Sequence, residues 1–283
     1  MGRLVYAPFV RPLTVPKMDY DALCSWAYRS DLMDMAEDDR TPLGKLDLTV
    51  FGSEDTPEHL IEFAGRHCYR SWEKGRDHEE YVENILKEAH GSVLEHVAIP
   101  FVVTGISRSL SLELIRHRAG TAVSQESQRY VDAKDVRFVI PPLLLDLFAD
   151  DDEAFNAYKA EKEEVVKRYT DLQHKLEDYA QRYGWSKREL RKRVNEAARS
   201  VLPNDTETRM VWTMNARAMR HILELRGSEH ADMEIRRLAV AFYYAAKRVM
   251  PVLLRDFNEV AFTCPSGIHS DLPGKLTCLY HKV

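Results

Sequence analysis

The sequence predicts an α/β (α+β) fold, in which a helix-rich protomer carries a small mixed or antiparallel sheet. Several segments repeat apolar residues every three or four positions, the spacing of a core-facing helix. A few short segments rich in β-branched residues lie between them. The chain has 283 residues, of which 45% are hydrophobic and 30% are charged. That composition supports a large core and argues against global disorder.

Strands are predicted where residues alternate between apolar and polar or are β-branched. The predicted strands are Leu46–Phe51, Val97–Thr104, Val136–Ile140 and Thr208–Met214. Helices are predicted from their apolar period and end signals, such as Pro57 at a first position and Ser186 with Glu189 as a capping box. One predicted helix begins near Thr56. The others cover Glu79–Ala89, Ser107–His117, Asp151–Arg182, Ser186–Ser200, Asn215–Arg226 and Ala231–Asp256.

Two of these helices have a predicted buried face. In the helix at 79–89 the inward residues are Tyr81, Val82, Ile85, Leu86 and Ala89. In the helix at 107–117 they are Leu110, Leu114 and Ile115. We predict one domain over residues 1–283, with 1–45 and 257–283 as extensions. The first 45 residues have no clear period.

Charge and cysteine usage exclude several classes of protein. The net charge of −5 argues against the strongly basic surface of a nucleic-acid binder. The chain has four cysteines, Cys24, Cys68, Cys264 and Cys278, and they form no CxxC pair. Their spacing argues against a zinc ribbon or a disulfide framework, and it favours a protein of the reducing cytoplasm. The N-terminus has no long apolar segment and no run reaches 18 apolar residues, so we expect neither a signal peptide nor a membrane span.

The segment from Arg116 to Tyr130 carries the most information. Arg116-His117-Arg118 ends a predicted helix, and Ser127-Gln128-Arg129-Tyr130 follows shortly after it. Guanidinium groups bind phosphate through two parallel hydrogen bonds, and a serine hydroxyl can fill a remaining lone pair. The segment therefore suits an anion site. The alternative is a solvated basic helix end, where cations favour the helix dipole.

His90-Gly91-Ser92-Val93-Leu94-Glu95-His96 lies at a helix-to-strand junction, where glycine and serine allow close approach of a ligand. The HExxH spacing is absent and no cysteine is near, so we predict no metal site. The alternative is that Glu95 and His96 form a satisfied buried pair. The chain also lacks GxGxxG, GxxxxGK[ST] and GxSxG. Cys264 could be a nucleophile, but a cysteine there is more often packed.

Other arginines stand at the ends of predicted elements. Arg199 precedes the break at Pro203, and Asn215 and Arg217 lie at a strand-to-helix switch, where α/β proteins bind ligands. Each alone is more often structural. Taken together they suit a ligand with several phosphates, and the set is Arg108, Arg116, Arg118, Arg129, Arg199, Arg217 and Arg226.

These motifs, in this order, resemble the flavin-dependent thymidylate synthases. The family signature is RHR, seven residues, then S-x-R, and here eight residues separate the two parts. Three further segments follow the family order: HGSVLEH, RSVLP (Arg199–Pro203) and NARAMRHILELR (Asn215–Arg226). The resemblance covers about residues 60–255. It implies a homotetramer of α/β protomers, with FAD and nucleotide sites built between subunits.

The resemblance also implies the site residues and the reaction. Residues matching flavin-contacting positions are His90, Ser92, Arg116, His117, Arg118, Asn215 and His221. Residues matching uracil-nucleotide positions are Arg108, Glu113, Gln125, Ser127, Arg129, Arg199 and Arg226, with Arg226 as the catalytic candidate. In the family, FAD reduced by NADPH supplies a hydride and methylenetetrahydrofolate supplies the carbon placed on C5 of dUMP. No protein nucleophile is needed.

Two departures from the family pattern leave alternatives open. The extra residue after RHR lengthens the pocket wall and could admit a 2′-hydroxyl, so the chain could methylate UMP, as does a UMP methylase of nucleoside-antibiotic biosynthesis. Cys68 stands where some members have a small polar residue that touches flavin. A non-catalytic nucleotide-binding or RNA-binding protein is the rival class, although the negative charge and the lack of an aromatic platform argue against RNA.

Overall fold

The computed structural model describes residues 4–29, 56–72, 75–261 and 272–281. Its helices are α1 (Tyr20–Arg29), α2 (Glu58–Tyr69), α3 (His78–Lys87), α4 (Arg108–Leu114), α5 (Pro142–Asp150), α6 (Asp152–Ala180), α7 (Lys187–Ala198), α8 (Ala216–Arg226) and α9 (Met233–Lys247). Its strands are β1 (Leu4–Val5), β2 (Phe9–Pro12), β3 (Ala98–Ser107), β4 (Thr121–Gln125), β5 (Phe138–Val139), β6 (Glu207–Asn215), β7 (Asn258–Val260) and β8 (Lys275–Thr277). Short 3₁₀ helices cover Gly91–His96, Ala133–Asp135, Gln181–Tyr183 and Arg199–Val201.

The largest sheet of the described residues is antiparallel, with the strand order β2-β3-β6-β4. Two small ladders accompany it, a parallel pair of β1 with β5 and an antiparallel pair of β7 with β8. The predicted helix-rich α+β class with a small sheet is therefore confirmed. The strands predicted at 97–104, 136–140 and 208–214 correspond to β3, β5 and β6, with ends shifted by a few residues.

The core lies between one face of this sheet and helices α2, α3, α8 and α9. Trp212 on β6 and Phe101 on β3 are fully buried, and each packs edge-to-face against Phe242 on α9 at 5.4–5.5 Å between ring centroids. Burying a large apolar side chain contributes about 1.5–3 kcal/mol relative to leaving it exposed. These contacts hold the strand that ends at the candidate site.

Helices α6 and α7 form a charged hairpin at the side of the sheet. The Ser186 hydroxyl accepts a hydrogen bond from the Glu189 N–H, so the predicted N-cap of α7 is confirmed. Between the helices, Gln173 Nε2 donates to Asn195 Oδ1 at 2.9 Å. The predicted helices at 151–182 and 186–200 are therefore both present.

Three predicted helices extend too far. Helix α3 ends at Lys87, and Ala89 is exposed with a left-handed φ of +53° instead of facing the core. Helix α4 ends at Leu114, so Ile115 lies beyond it and is 43% exposed. Helix α9 ends at Lys247, well short of residue 256, and turns follow. Pro251 has no N–H to continue a helix.

The remaining predictions meet the structure only in part. The helix predicted from Thr56 is α2, whose first turn follows Pro57. The strand predicted at Leu46–Phe51 lies outside the described residues, as does Cys264. The N-terminal segment, left unassigned from sequence, adds β2 to the edge of the main sheet. None of the helices in the described ranges is long and apolar enough to cross a membrane.

Candidate active site

Helix α4 is fixed at its first turn by a carboxylate from another helix. The Ser107 hydroxyl caps α4 by accepting a hydrogen bond from Leu110 N–H. Ser107 donates its own N–H and hydroxyl to Glu234 of α9 at 2.8 and 2.6 Å. Burial raises the pKa of Glu234, although these two hydrogen bonds oppose that rise. The start of α4, which carries several candidate residues, is therefore anchored to the core.

The last turn of α8 meets the end of α4 at Arg226. Arg226 Nε donates to His117 Nε2 at 2.9 Å, and Nη1 donates to Glu113 Oε2 at 2.8 Å. The Arg226 side chain is 19% exposed. An arginine has five N–H donors, so these contacts leave three for a ligand. The structure thus brings together three predicted site residues. In the sequence, His117 lies 109 positions and Glu113 lies 113 positions before Arg226.

His117 is held in its neutral form. Burial, together with the charges of Arg226 and His221, lowers its pKa to about 4. A neutral imidazole that accepts at Nε2 carries its proton on Nδ1. The His221 ring stands edge-on to His117 at 6.0 Å between centroids. His117 is therefore an acceptor that orients Arg226 and not a second cation.

A second polar group lies along the other face of α4. Gln125 Nε2 on β4 donates to Ser111 Oγ and to Thr208 Oγ1, each at 3.0 Å. Arg108 Nη1 donates to the same Thr208 hydroxyl at 3.5 Å. Two predicted nucleotide-binding residues, Arg108 and Gln125, are therefore joined through a threonine.

Arg108 and Arg199 place two cations close to each other. Burial lowers the pKa of Arg108, and the charge of Arg199 lowers it further, while Glu126 opposes both effects. Arg199 lies in the 3₁₀ turn after α7, and Arg108 begins α4. Two guanidinium groups that repel each other in a partly buried place favour an anion between or beside them.

The turn after RHR is tied to the start of α8. Gly120 has φ +68°, and its carbonyl accepts from Asn215 N–H at 2.9 Å. A Cβ on Gly120 would lie 2.5 Å from Asn215 Nδ2, so the site requires glycine. Asn215 Oδ1 caps α8 by accepting from Ala218 N–H, and Thr121 Oγ1 donates to the His117 carbonyl. The turn thus sets the position of His117 relative to α8.

This turn is the part of the Arg118–Ser127 segment that precedes β4. From Thr121 to Gln125, β4 pairs in regular register with β6, from Met214 back to Met210. A bulge within Thr121–Gln125 is therefore excluded. Ala119 and Gly120 lie outside that regular ladder, next to Asn215.

Several predicted flavin-contacting residues lie on the surface. Ser92, Arg116, Arg118 and His221 are exposed, while His90 is half-buried and stacks on Tyr69 at 5.7 Å between ring centroids. These side chains are available to a ligand or to another subunit.

The suggested buried pair of Glu95 and His96 is wrong. Both residues are exposed, and Glu95 accepts a hydrogen bond from Arg217 Nη1 at 2.6 Å. The 3₁₀ turn of Gly91–His96 buries Val93 and Leu94 instead, which leaves the two polar side chains outward.

The hydrogen bonds described for Ser127 and Arg129 do not involve Arg226, His117 or Glu113. Arg129 Nε donates to Glu196 Oε2 of α7 at 3.2 Å, and Arg129 N–H donates to Ser127 Oγ at 3.4 Å. Both side chains of the Arg129–Glu196 pair are more than a third exposed. Such an exposed ion pair contributes about 0–1 kcal/mol to stability. A phosphate that binds Arg129 can therefore displace Glu196 at little cost in free energy.

Three residues of the site were not predicted from the sequence. Ser111 and Thr208 hold Gln125, and Glu234 anchors α4. Ser111 lies one helical turn after Arg108, so the helical spacing places the two on neighbouring positions of one face. Of the three residues, only Ser111 could have been found from its own segment in this way. Thr208 and Glu234 act from distant parts of the chain, and nothing in their own segments marks them.

Comparison with known proteins places the chain. The family model "Thy1: Thymidylate synthase complementing protein" matches residues 49–252. A flavin-dependent thymidylate synthase of Mycolicibacterium gilvum is 44% identical over 206 residues, covering 71% of this chain and 80% of the relative. The enzyme of that name from Mycobacterium tuberculosis is 45% identical over 205 residues, covering 70% and 79%. Thymidylate synthase X of Helicobacter pylori, crystallised with FAD and dUMP, is 26% identical, covering 71% of this chain and 94% of its own, with a TM-score of 0.48.

The family match includes every predicted site residue, from His90 to Arg226, and more than two thirds of the chain. The relatives that share the name flavin-dependent thymidylate synthase are about 45% identical to it. On these grounds, the chain belongs to the Thy1 family of thymidylate synthase complementing proteins, as its ordered motifs predicted.

Proposed function

We propose that this chain is a flavin-dependent thymidylate synthase, which methylates C5 of dUMP. The observation that carries the proposal is the junction of Arg226, His117 and Glu113 within a chain of this family. The junction holds a guanidinium with three N–H donors left for a ligand. Relatives that carry this enzyme name support the reaction class.

The residues present fit FAD. A dinucleotide needs cations for its diphosphate and donors for the flavin edge, and Arg116, Arg118, Ser92 and His221 are exposed and so available for both. Gly120 has no Cβ, which lets the Asn215 side chain pack directly against the turn. His117, Asn215 and His90 complete the proposed flavin set.

When bound, reduced FAD would supply the hydride that completes the methyl group, with NADPH as the reductant and methylenetetrahydrofolate as the carbon donor. The protein's own part is to position the uracil ring and to stabilise its charge. Arg226 would donate to the O2 edge of the ring, where negative charge develops as C5 attacks the carbon donor. Glu113 and His117 fix the guanidinium for that role.

The phosphate end of the nucleotide would bind at the arginine cluster. Arg108 and Arg199 form one cationic pair, and Arg129 with Ser127 forms a second donor set. We propose that Gln125 lies between the phosphate and uracil ends, because its amide bridges β4 to Ser111 on α4. Arg129 must release Glu196 when the phosphate arrives.

The exposure of the proposed flavin residues supports an assembly with shared sites. Ser92, Arg116 and Arg118 lie open in one protomer, as expected if a second subunit closes the pocket. We propose a homotetramer, which size-exclusion chromatography with light scattering measures directly. A cytoplasmic location also stays a prediction and rests on the cysteine pattern.

UMP is a second candidate substrate. We assign the extra residue to the turn at Ala119–Gly120, beside Asn215, because the ladder of β4 with β6 is regular from Thr121 to Gln125. It would therefore change the flavin or sugar side of the pocket and leave the proposed phosphate-binding residues, Ser127 and Arg129, in place. We propose that UMP is accepted alongside dUMP. If the wild-type protein turns over only dUMP, and UMP neither binds nor competes, the loop argument is wrong.

The test begins with flavin. Protein purified from cells should show flavin absorbance, or should gain it when FAD is added at tens of micromolar. With FAD, NADPH, methylenetetrahydrofolate and either dUMP or UMP, the product is separated by chromatography and identified by mass. Binding of nucleotide without flavin binding or turnover would favour the non-catalytic rival. Absence of both would refute the proposed function.

A further inference from the structure

A short C-terminal segment, residues 272–281, packs against the end of α8. Leu276 N–H donates to the Gly227 carbonyl at 2.7 Å, and a Cβ on Gly227 would lie 2.7 Å from the Leu276 Cβ. Arg220 Nη2 donates to the Tyr280 carbonyl at 3.1 Å, and Tyr280 N–H donates to Asp256. This segment lies outside the family match at 49–252.

Three metal-ligand side chains meet at this contact. Glu224 comes from α8, while Cys278 and His281 come from the tail with the spacing C-x-x-H. Cys278 Sγ lies 3.4 Å from His281 Nδ1, and His281 Nδ1 lies 2.8 Å from Glu224 Oε1. One ligand atom from each of the three lies within 4.8 Å of the others, the one such group among the described residues.

The spacing suits a tetrahedral zinc ion. With a Zn–S bond of about 2.3 Å and a Zn–N bond of about 2.0–2.1 Å, tetrahedral geometry separates sulfur and nitrogen by about 3.5 Å. The measured separation of Cys278 Sγ and His281 Nδ1 is 3.4 Å. The Nδ1–Oε1 contact must open by about 0.5 Å, since tetrahedral nitrogen and oxygen ligands lie about 3.3 Å apart. His281 is 61% exposed, so its ring can make that movement.

The surrounding charge also favours a cation. Glu224 and Asp256 place negative charge beside the Cys278 side chain, and Arg220, which is paired with Asp256, offsets part of it. The same negative potential attracts a metal ion. A zinc ion bound by one thiolate, one carboxylate and one neutral imidazole forms a site of zero net charge. On binding, the thiol gives its proton to solvent as the Zn–S bond forms.

We propose that Glu224, Cys278 and His281 bind one zinc ion, with a water molecule as the fourth ligand. The ion would fasten the C-terminal segment to α8 two residues before Arg226. The site does not depend on the proposed synthase activity. Cys278 and His281 are close in sequence, but Glu224 lies 57 positions from His281, and only the fold brings it to them.

The test uses the full chain without an affinity tag. Metal-free protein titrated with zinc and analysed by inductively coupled plasma mass spectrometry should retain one equivalent after desalting. With cobalt in place of zinc, a thiolate-to-cobalt charge-transfer band should appear. Cys278→Ser should remove that band, and Glu224→Gln and His281→Ala should weaken zinc affinity at least about 100-fold, since even outer partners cost 10–100-fold.

Matched controls separate this site from adventitious binding. Cys68→Ser removes another exposed thiol, and His230→Ala removes an exposed histidine close to the tail contact. Both should retain the full equivalent of zinc, and circular dichroism checks that each variant is folded. A wild-type protein that retains no zinc overturns the proposal. It is also overturned if folded Cys278→Ser keeps zinc affinity and the cobalt band.

Discussion

Arg220 and Arg226 lie less than two turns apart on α8 and have opposite environments. Arg220 is 3% exposed and forms a two-pronged ion pair with Asp256, itself 2% exposed, at 2.7 and 2.8 Å. It also donates to the Leu253 and Tyr280 carbonyls. Arg226 is 19% exposed, and in the described contacts it uses only two donors.

The difference separates an arginine that is committed to the fold from one that can still bind a ligand. Arg220 donates four hydrogen bonds from Nη1 and Nη2 to protein oxygens, its buried Nε has no partner among the described residues, and its guanidinium lies over the Phe257 ring at 4.9 Å from the centroid. Arg226 is oriented by a carboxylate and a neutral imidazole while donors remain for a ligand. An arginine that is held but not saturated is suited to bind a substrate. Composition and spacing do not distinguish the two residues.

The largest expected effect is on stability. Arg220→Ala leaves the buried Asp256 carboxylate without its cationic partner and with the Tyr280 N–H as a remaining donor, which should lower the free energy of unfolding by about 3–5 kcal/mol. Arg217→Ala on the same helix breaks an exposed pair with Glu95 and should cost at most about 1 kcal/mol. Urea denaturation of the three proteins measures both values. Equal losses for the two variants would contradict the division between buried and exposed arginines.

Arg226→Ala should affect catalysis and not the fold. Losing one donor that stabilises developing charge typically lowers kcat by about 10²–10³-fold. Steady-state methylation of dUMP measures that loss, while flavin absorbance and the urea midpoint should stay close to wild type. Arg226→Lys, which keeps the charge but not the planar fork, should recover little activity. Near-normal turnover in either variant would remove Arg226 from the mechanism.

The neutral state of His117 sharpens the comparison. With its pKa lowered from 6.5 to about 4, the folded protein does not take up a proton that the unfolded chain accepts. The stability from this residue is therefore present above pH 6.5 and is lost as the pH falls toward 4. NMR titration of the His117 ring should give a midpoint near 4, raised in Arg226→Ala. A midpoint at or above 6.5 would contradict the neutral acceptor.

The smallest expected effect concerns the turn after RHR. Deleting Ala119 should shift the ratio of UMP to dUMP turnover toward dUMP, because it shortens the turn beside Asn215 without changing β4. Deleting Ala122 is the control, since it shifts the register of β4 against β6 and moves its side chains to the wrong face. Competition assays with both nucleotides measure the ratio. An unchanged ratio after the first deletion would exclude this turn as the specificity element.

Local patterns determined much of the fold and the membership of the site. The apolar period placed α3 and α6, the capping box at Ser186 placed α7, and the helix predicted to start at Asn215 is α8. Capping and periodicity are short-range effects, so one segment is sufficient to show them. The ordered motifs also identified the family. Helix ends were less certain, as at Ala89 and Ile115, because helix termini depend on tertiary contacts.

Only the tertiary structure decided how those residues are used. The sequence marks Arg220 and Arg226 alike as cations on one helix, and Asp256, His117 and Glu113 reach them from 36, 109 and 113 positions away. Such contacts depend on how helices and strands pack, and no local pattern encodes them. The same holds for Glu234 at α4 and for Glu224 beside the C-terminal tail. The sequence by itself determined which residues were available, and packing decided which of them retain donors for a ligand.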